Sequence, residues 1–202
     1  MSGVRIKICG LFRPCDAEYV NRAKPDYAGF VFCARSRRNV PMELARALRE
    51  SILPSVRTVG VFVDAPPTEI VPLCREGIID IVQLHGSEDD ASVAALRNAL
   101  PGVEIWKAFQ IRGRADLDAA AESAADRVLL DSGGGTGAPF DWSLIEDFPR
   151  AFILAGGLTP GSIPDAVARF RPYAVDLSSG VEKGRVKDEA LIRAAVRAAR
   201  GN

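Results

Sequence analysis

A closed barrel of eight β/α units is the fold this sequence predicts, and three observations carry it. Eight short, mostly apolar runs recur along the 202 residues. Segments with apolar residues three and four positions apart lie between them. The units repeat at roughly 25 residues, the spacing of a (β/α)8 barrel. An open doubly wound sheet is the rival architecture. It would usually carry a G-x-G-x-x-G turn after its first strand, where this chain reads CGLFRP. No low-complexity linker divides the chain, so residues 1–202 are expected to form one domain.

The strands are expected in VRIKIC (4–9), YAGFVF (27–32), RTVGVFV (57–63), IDIVQLH (79–85), VEIWKAF (103–109), RVLLD (127–131), AFILAGG (151–157) and YAVDLSS (173–179). Each is apolar through most of its length, as strands covered on both faces are. MELARALRESI lines up Leu44, Leu48 and Ile52 on one helical stripe. A short third helix is expected near 67–75 and a short sixth near 142–147. SEDDASVAALRNAL aligns Val93, Leu96 and Leu100, with Ser87 suited to an N-cap and acidic residues in the first turn. PGSIPDAVARF aligns Ile163, Val167 and Phe170, and DEALIRAAVRAAR aligns Leu191, Ala195 and Ala199. The arginines of that last helix are expected on a solvated face.

Composition narrows the function classes. The 26 basic and 26 acidic residues balance, whereas a nucleic-acid binder usually shows a basic excess. No apolar run approaches the ~18 residues of a membrane span. MSGVRIKICG reads as a strand rather than a signal segment. Cys9, Cys15, Cys33 and Cys74 form no C-x-x-C pair, and His85, the single histidine, completes no Cys/His zinc set. The expectation is a cytoplasmic protein with reduced thiols and no metal.

In such a barrel the chemistry sits at the C-terminal ends of the strands. Cys9 ends the first, Gln83 and His85 the fourth, Asp131 the sixth, and Gly156 and Gly157 the seventh. The eighth carries Asp176, followed by Ser178, Ser179 and Gly180. The loops LAGGLTPGS and DLSSGVE place small residues where many barrels bind phosphate through backbone N–H groups and a helix N-terminus. Cys9 and Asp131 are able to face each other across the mouth as base and acid. Spacing alone equally allows a core cysteine and a loop-capping aspartate.

Taken together, KICGL with RP close behind, GFVF, VGVFV, VQLHG, LLDSGGGTGAPFDW, LAGGLTP and VDLSSGVE followed by KD resemble the phosphoribosylanthranilate isomerase family of tryptophan biosynthesis. They stand in family order over almost the whole chain. The resemblance implies a (β/α)8 barrel and an Amadori rearrangement without metal or organic cofactor. It makes Cys9 the general base and Asp131 the general acid. A working acid needs a raised pKa at Asp131, and a thiolate base a lowered one at Cys9.

It also implies an arginine after the second strand for the substrate carboxylate. In ARSRRNV that position is Arg38, with Arg37 replacing the family's proline and Asn39 its aromatic. Phe12 stands where the family commonly has threonine, either closing over the site or merely packing. Gly156, Gly157, Ser179 and Gly180 would hold the phosphate. Asp176 either contacts the substrate's amine or ring, or is structural. His85 is expected to line the site or shape its loop, because QLHG supplies no partner base. Cys15, Cys33 and Cys74 are expected to be inert.

The partner expected is a small phosphosugar–anthranilate substrate, with neither nucleic acid nor membrane, in a monomer or homodimer. The glycine segment 132–137 is expected to fold over the opened sugar as a lid, anchored by Phe140 and Trp142. Two rivals remain. A related histidine-pathway isomerase would be expected to carry aspartate at position 9 and a second phosphate site. A non-catalytic phosphate-binding barrel would need neither Cys9 nor Asp131.

Overall fold

The computed structural model describes residues 3–131, 145 and 147–201. Eight parallel strands close in chain order: β1 (Arg5–Cys9), β2 (Tyr27–Phe32), β3 (Arg57–Phe62), β4 (Ile81–Leu84), β5 (Glu104–Gln110), β6 (Arg127–Asp131), β7 (Phe152–Ala155) and β8 (Ala174–Leu177). Every expected run holds a strand, and β5 alone runs past its expected end, by one residue to Gln110. Several are shorter than expected because polar or small residues leave the ladder. Asp80, before β4, turns its carboxylate onto the Thr58 amide at 2.7 Å. Gly156, after β7, has φ +92°. Closure sets Lys7 of β1 level with Tyr27 on one side and Asp176 on the other.

The helices are α1 (Pro14–Ala23), α2 (Met42–Ser51), α3 (Pro67–Arg75), α4 (Asp90–Ala99), α5 (Arg114–Glu122), α6 (Ile163–Phe170) and α7 (Glu189–Arg200). The helix expected at 142–147 lies outside the described residues apart from Ile145 and Asp147. Asp89, not Ser87, caps α4. Its carboxylate accepts from the Ser92 amide at 2.9 Å, while Ser87 donates to Asp64 and joins two loops. The buried row of α7 is Ile192, Ala195, Val196 and Ala199, which leaves Leu191 half-buried. In α6, Ile163 and Ala166 are buried while Val167 and Phe170 lie at the edge.

Between β8 and α7 stands a small hairpin, β9 (Glu182–Lys183) and β10 (Val186–Lys187). Its two-residue turn has positive φ at Gly184 (56°) and Arg185 (66°), as tight hairpins with the strands' own twist require.

One core lies between the strands and the helices. A second fills the lower barrel with Tyr27, Val59, Ile81, Trp106, Leu129, Ile153 and Ala174. Trp106 is fully buried, donates to Glu104 at 2.8 Å and meets the Tyr27 ring edge-on. This plug fills the bottom of the barrel, and the interior opens toward the strands' C-terminal ends.

Candidate active site

A cavity of about 310 Å³ opens at that end of the barrel. Cys9, Arg38, His85, Asp131, Asp176, Gly156, Gly157, Ser179 and Gly180 all line it. Residues distant in sequence thus converge on one rim, as the barrel reading required. The proposed lid at 132–142, with Phe140 and Trp142, lies outside the described residues.

The β1 wall is electrostatic. Side chains two apart on a strand share a face, so Lys7 and Cys9 both point into the barrel. Lys7 is fully buried, and its ammonium stands 2.9 Å from Asp176 Oδ2. Asp176 Oδ1 is buried without a hydrogen-bond partner among the described residues. It lies on the cavity wall, where a substrate donor would satisfy it. Burial pushes the Cys9 thiol above its ordinary range; Lys7 pulls it down and Asp176 pushes it up. This corrects the expected lowering. A strand end reads as exposed in sequence, whereas Cys9 is only 8% exposed.

Across the mouth, Asp131 ends β6, and its Oδ2 lies 3.5 Å from His85 Nε2. His85 Nδ1 in turn lies 2.9 Å from the Gln83 amide nitrogen. The ring thus spans the two, with Nδ1 toward Gln83 and Nε2 toward the carboxyl group. Asp131 is therefore the partner that QLHG itself does not supply. His85 lines the site as expected and also adjoins the proposed acid.

The loops after β7 and β8 form the third wall. Gly156 and Gly157 adopt φ of 92° and 64°, a conformation other residues rarely take. Gly180 sits so close to its neighbour loop that a Cβ there would lie 1.8 Å from the Leu158 carbonyl oxygen. The two small-residue loops are thus in backbone contact, with α6 starting just beyond the first. Such a concave backbone rim suits a phosphate group.

Arg38 lies across Gly10, where any Cβ would meet its Cδ. Its Nε and Nη2 donate to the two Glu182 oxygens at 2.7 and 3.0 Å. Nη1 makes no hydrogen bond among the described residues. A guanidinium N–H of this kind is a donor suited to a carboxylate. Arg37 does not line the cavity and instead reaches Glu182 and the Arg185 carbonyl. Burial alone would raise the Glu182 carboxyl. Arg38, Lys187 and Arg37 outweigh it and hold the group at about 2. Phe12 packs against the outer core and does not line the cavity.

All four cysteines are free, and Cys33 also lines the cavity. Cys74 is half-buried, and burial pushes its thiol up to about 11. Among the described residues no group of three or more His, Cys, Asp or Glu is placed to hold a metal ion. No described helix is long and apolar enough to cross a membrane.

Sequence alone singles out neither Lys7 nor Glu182, and it names Gln83 only as a polar strand end. The available signal for Lys7 is a lysine between Ile6 and Ile8, two residues before Cys9 on the same strand. Glu182 stands within DLSSGVE, but its arginine partners follow β2 and give no local sign of the contact.

Comparison with known proteins gives a consistent result. Residues 6–198 match the sequence model of the family described as N-(5'phosphoribosyl)anthranilate (PRA) isomerase. The N-(5'-phosphoribosyl)anthranilate isomerase of Acetivibrio thermocellus is 43% identical over 201 residues, covering 93% of this chain and 92% of the relative. The crystal structure of phosphoribosyl anthranilate isomerase from Thermotoga maritima superposes with a TM-score of 0.87 at 35% identity. It covers 98% of this chain and 100% of that one. A structure of the isomerase in complex with reduced 1-(o-carboxyphenylamino)-1-deoxyribulose 5-phosphate gives a TM-score of 0.86 at 34% identity. Its coverage is again 98% and 100%.

Proposed function

This chain belongs to the N-(5'-phosphoribosyl)anthranilate isomerase family, and from that premise we propose the reaction and the residues that perform it. It converts N-(5-phosphoribosyl)anthranilate into 1-(2-carboxyphenylamino)-1-deoxyribulose 5-phosphate, a step of tryptophan biosynthesis. The observation that carries the residue assignment is the placement of Cys9 and Asp131 on one cavity, beside two apposed small-residue loops.

Asp131 donates a proton to the furanose ring oxygen, and the ring opens to a Schiff base. The Cys9 thiolate then takes the proton from ribose C2. The electron pair released forms an enolamine, which tautomerises to the ketose. Gly156, Gly157, Ser179 and Gly180 hold the phosphate, and the free Nη1 of Arg38 takes the anthranilate carboxylate. Asp176 presents Oδ1 to the substrate's amine or sugar. Each positioned proton-transfer group typically contributes about 10²–10⁴-fold.

The reading includes a cytoplasmic location, which four free cysteines support. It also includes assembly as a monomer or homodimer; the relative from Thermotoga maritima is described as dimeric. The substrate is a small phosphosugar, and the balanced charge supports no role in nucleic-acid binding. The reaction needs neither metal nor organic cofactor in this reading. The test is turnover of phosphoribosylanthranilate generated in situ, followed by loss of anthranilate-type fluorescence in chelator-treated buffer. Turnover without added metal is expected. A folded protein that binds phosphate but shows no turnover supports the non-catalytic barrel instead.

A further inference from the structure

We propose that Lys7 is a positioning residue for Cys9: its buried ammonium, anchored by Asp176, stabilises the thiolate that takes the substrate proton. The proposal deepens the isomerase reading and rests on Cys9 as the base. Lys7 does not line the cavity, so its effect on the reaction passes through its neighbours.

The geometry is specific. Lys7 and Cys9 are two apart on β1 and share the inward face. On β2, Gly29 faces both: a Cβ there would lie 3.0 Å from Cys9 Sγ and 3.1 Å from Lys7 Cε. The lysine stem and the thiol therefore lie side by side against one glycine. From β8, Asp176 Oδ2 takes the ammonium at 2.9 Å. From β10, the Lys187 ammonium adds a weaker positive influence on the thiol. Arg38 lies over the neighbouring Gly10 but bonds to Glu182.

A lysine with no chemical purpose is an unfavourable choice for this position. Burying an ammonium is costly even when it is paired, and an apolar side chain of similar length would fill the space. Burial disfavours the charged lysine, yet Asp176 and Cys9 outweigh it and hold the ammonium above its ordinary range. In the opposite direction, Lys7 is the largest influence restraining the upward shift of Cys9. The ammonium keeps its proton throughout. Only Cys9 changes state, from thiolate to thiol, when it accepts the C2 proton.

The test reads Cys9 directly. Iodoacetamide alkylation of the Cys9 peptide is followed by mass spectrometry across pH, which separates it from the other three cysteines. In Lys7→Met the alkylation midpoint is expected to rise by about one pH unit or more. The acidic limb of kcat/KM should move with it, with little change in KM. Lys7→Arg should restore part of the shift. Lys7→Gln removes the charge but keeps a hydrogen-bond donor for Asp176, and its midpoint should rise as in Lys7→Met.

A purely structural lysine would leave the Cys9 midpoint where wild type has it in both Lys7→Met and Lys7→Gln. An unchanged midpoint in folded Lys7→Met overturns the proposal. If that variant does not fold, an unchanged midpoint in Lys7→Gln overturns it. Alkylation needs no turnover, so failure of the isomerase reading is seen separately as wild-type inactivity. Failure of the Cys9 assignment is seen separately as an active Cys9→Ser.

Discussion

Gly180→Ala adds one methyl group at the point where the loops after β7 and β8 touch. The new Cβ would stand 1.8 Å from the Leu158 carbonyl oxygen and 3.3 Å from Thr159 Cα, whereas ordinary contact begins at 3.4 Å. The obstacle is backbone, so no side-chain rotation relieves it. The two loops must part by about 1.6 Å to restore contact distance. Overpacking of this kind usually costs about 1–3 kcal/mol in stability. Misplacing a substrate-positioning group by ~1 Å can cost about 10²-fold in rate. A loss of about 1–3 kcal/mol in phosphate binding corresponds to roughly 5- to 150-fold in affinity. The assay is steady-state turnover with inorganic phosphate as a competing ligand. KM and the phosphate inhibition constant should rise together by about tenfold or more, equivalent to about 1.4 kcal/mol. Gly113→Ala is the control, because Gly113 has extended backbone and an added Cβ meets nothing within 4 Å. Its KM should be unchanged. A folded Gly180→Ala with KM and phosphate inhibition both near wild type would refute the two-loop phosphate rim.

Three further outcomes follow from the same geometry. The Glu182 carboxyl is held at about 2 against an ordinary 4.5, so its contribution to stability is complete above 4.5 and is lost as pH falls toward 2. Glu182→Gln should flatten that part of the acid-unfolding profile, read as urea midpoint against pH. Arg38→Met should raise KM by about tenfold while leaving kcat largely intact, since a charge-assisted contact to the substrate carboxylate is lost. An unchanged KM would move that contact elsewhere. Trp106→Ala empties the buried lower barrel and should cost about 3–5 kcal/mol, lowering Tm by on the order of 10 °C.

The strands were legible because parallel strands buried on both faces are continuous apolar runs. Their ends were less so. Whether Asp80 extends β4 or turns onto Thr58 depends on a neighbouring strand. Local rules also misplaced a cap, since both Ser87 and Asp89 can serve and tertiary contact with Asp64 claims the serine. The hairpin after β8 consists of two-residue strands, too short to give a period.

At the site, residue types and strand ends pointed to Cys9, Asp131 and the glycine loops, and the family resemblance to Arg38. Their electrostatic partners were not visible. The His85–Asp131 approach exists only because β4 and β6 lie on one closed barrel. Nothing in VRIKIC itself shows the partner of Lys7; β1–β8 closure places Asp176 beside it. The direction of the Cys9 shift followed from burial, which chain position alone does not reveal.

The acid–base assignment meets its most direct test in kcat measured for wild type, Cys9→Ser and Asp131→Asn on substrate generated in situ. Wild type should turn over, and each variant should lose about 10²–10⁴-fold in kcat with KM little changed. Near-wild-type kcat in both variants would contradict the assignment, placing the proton transfers on other residues of the cavity.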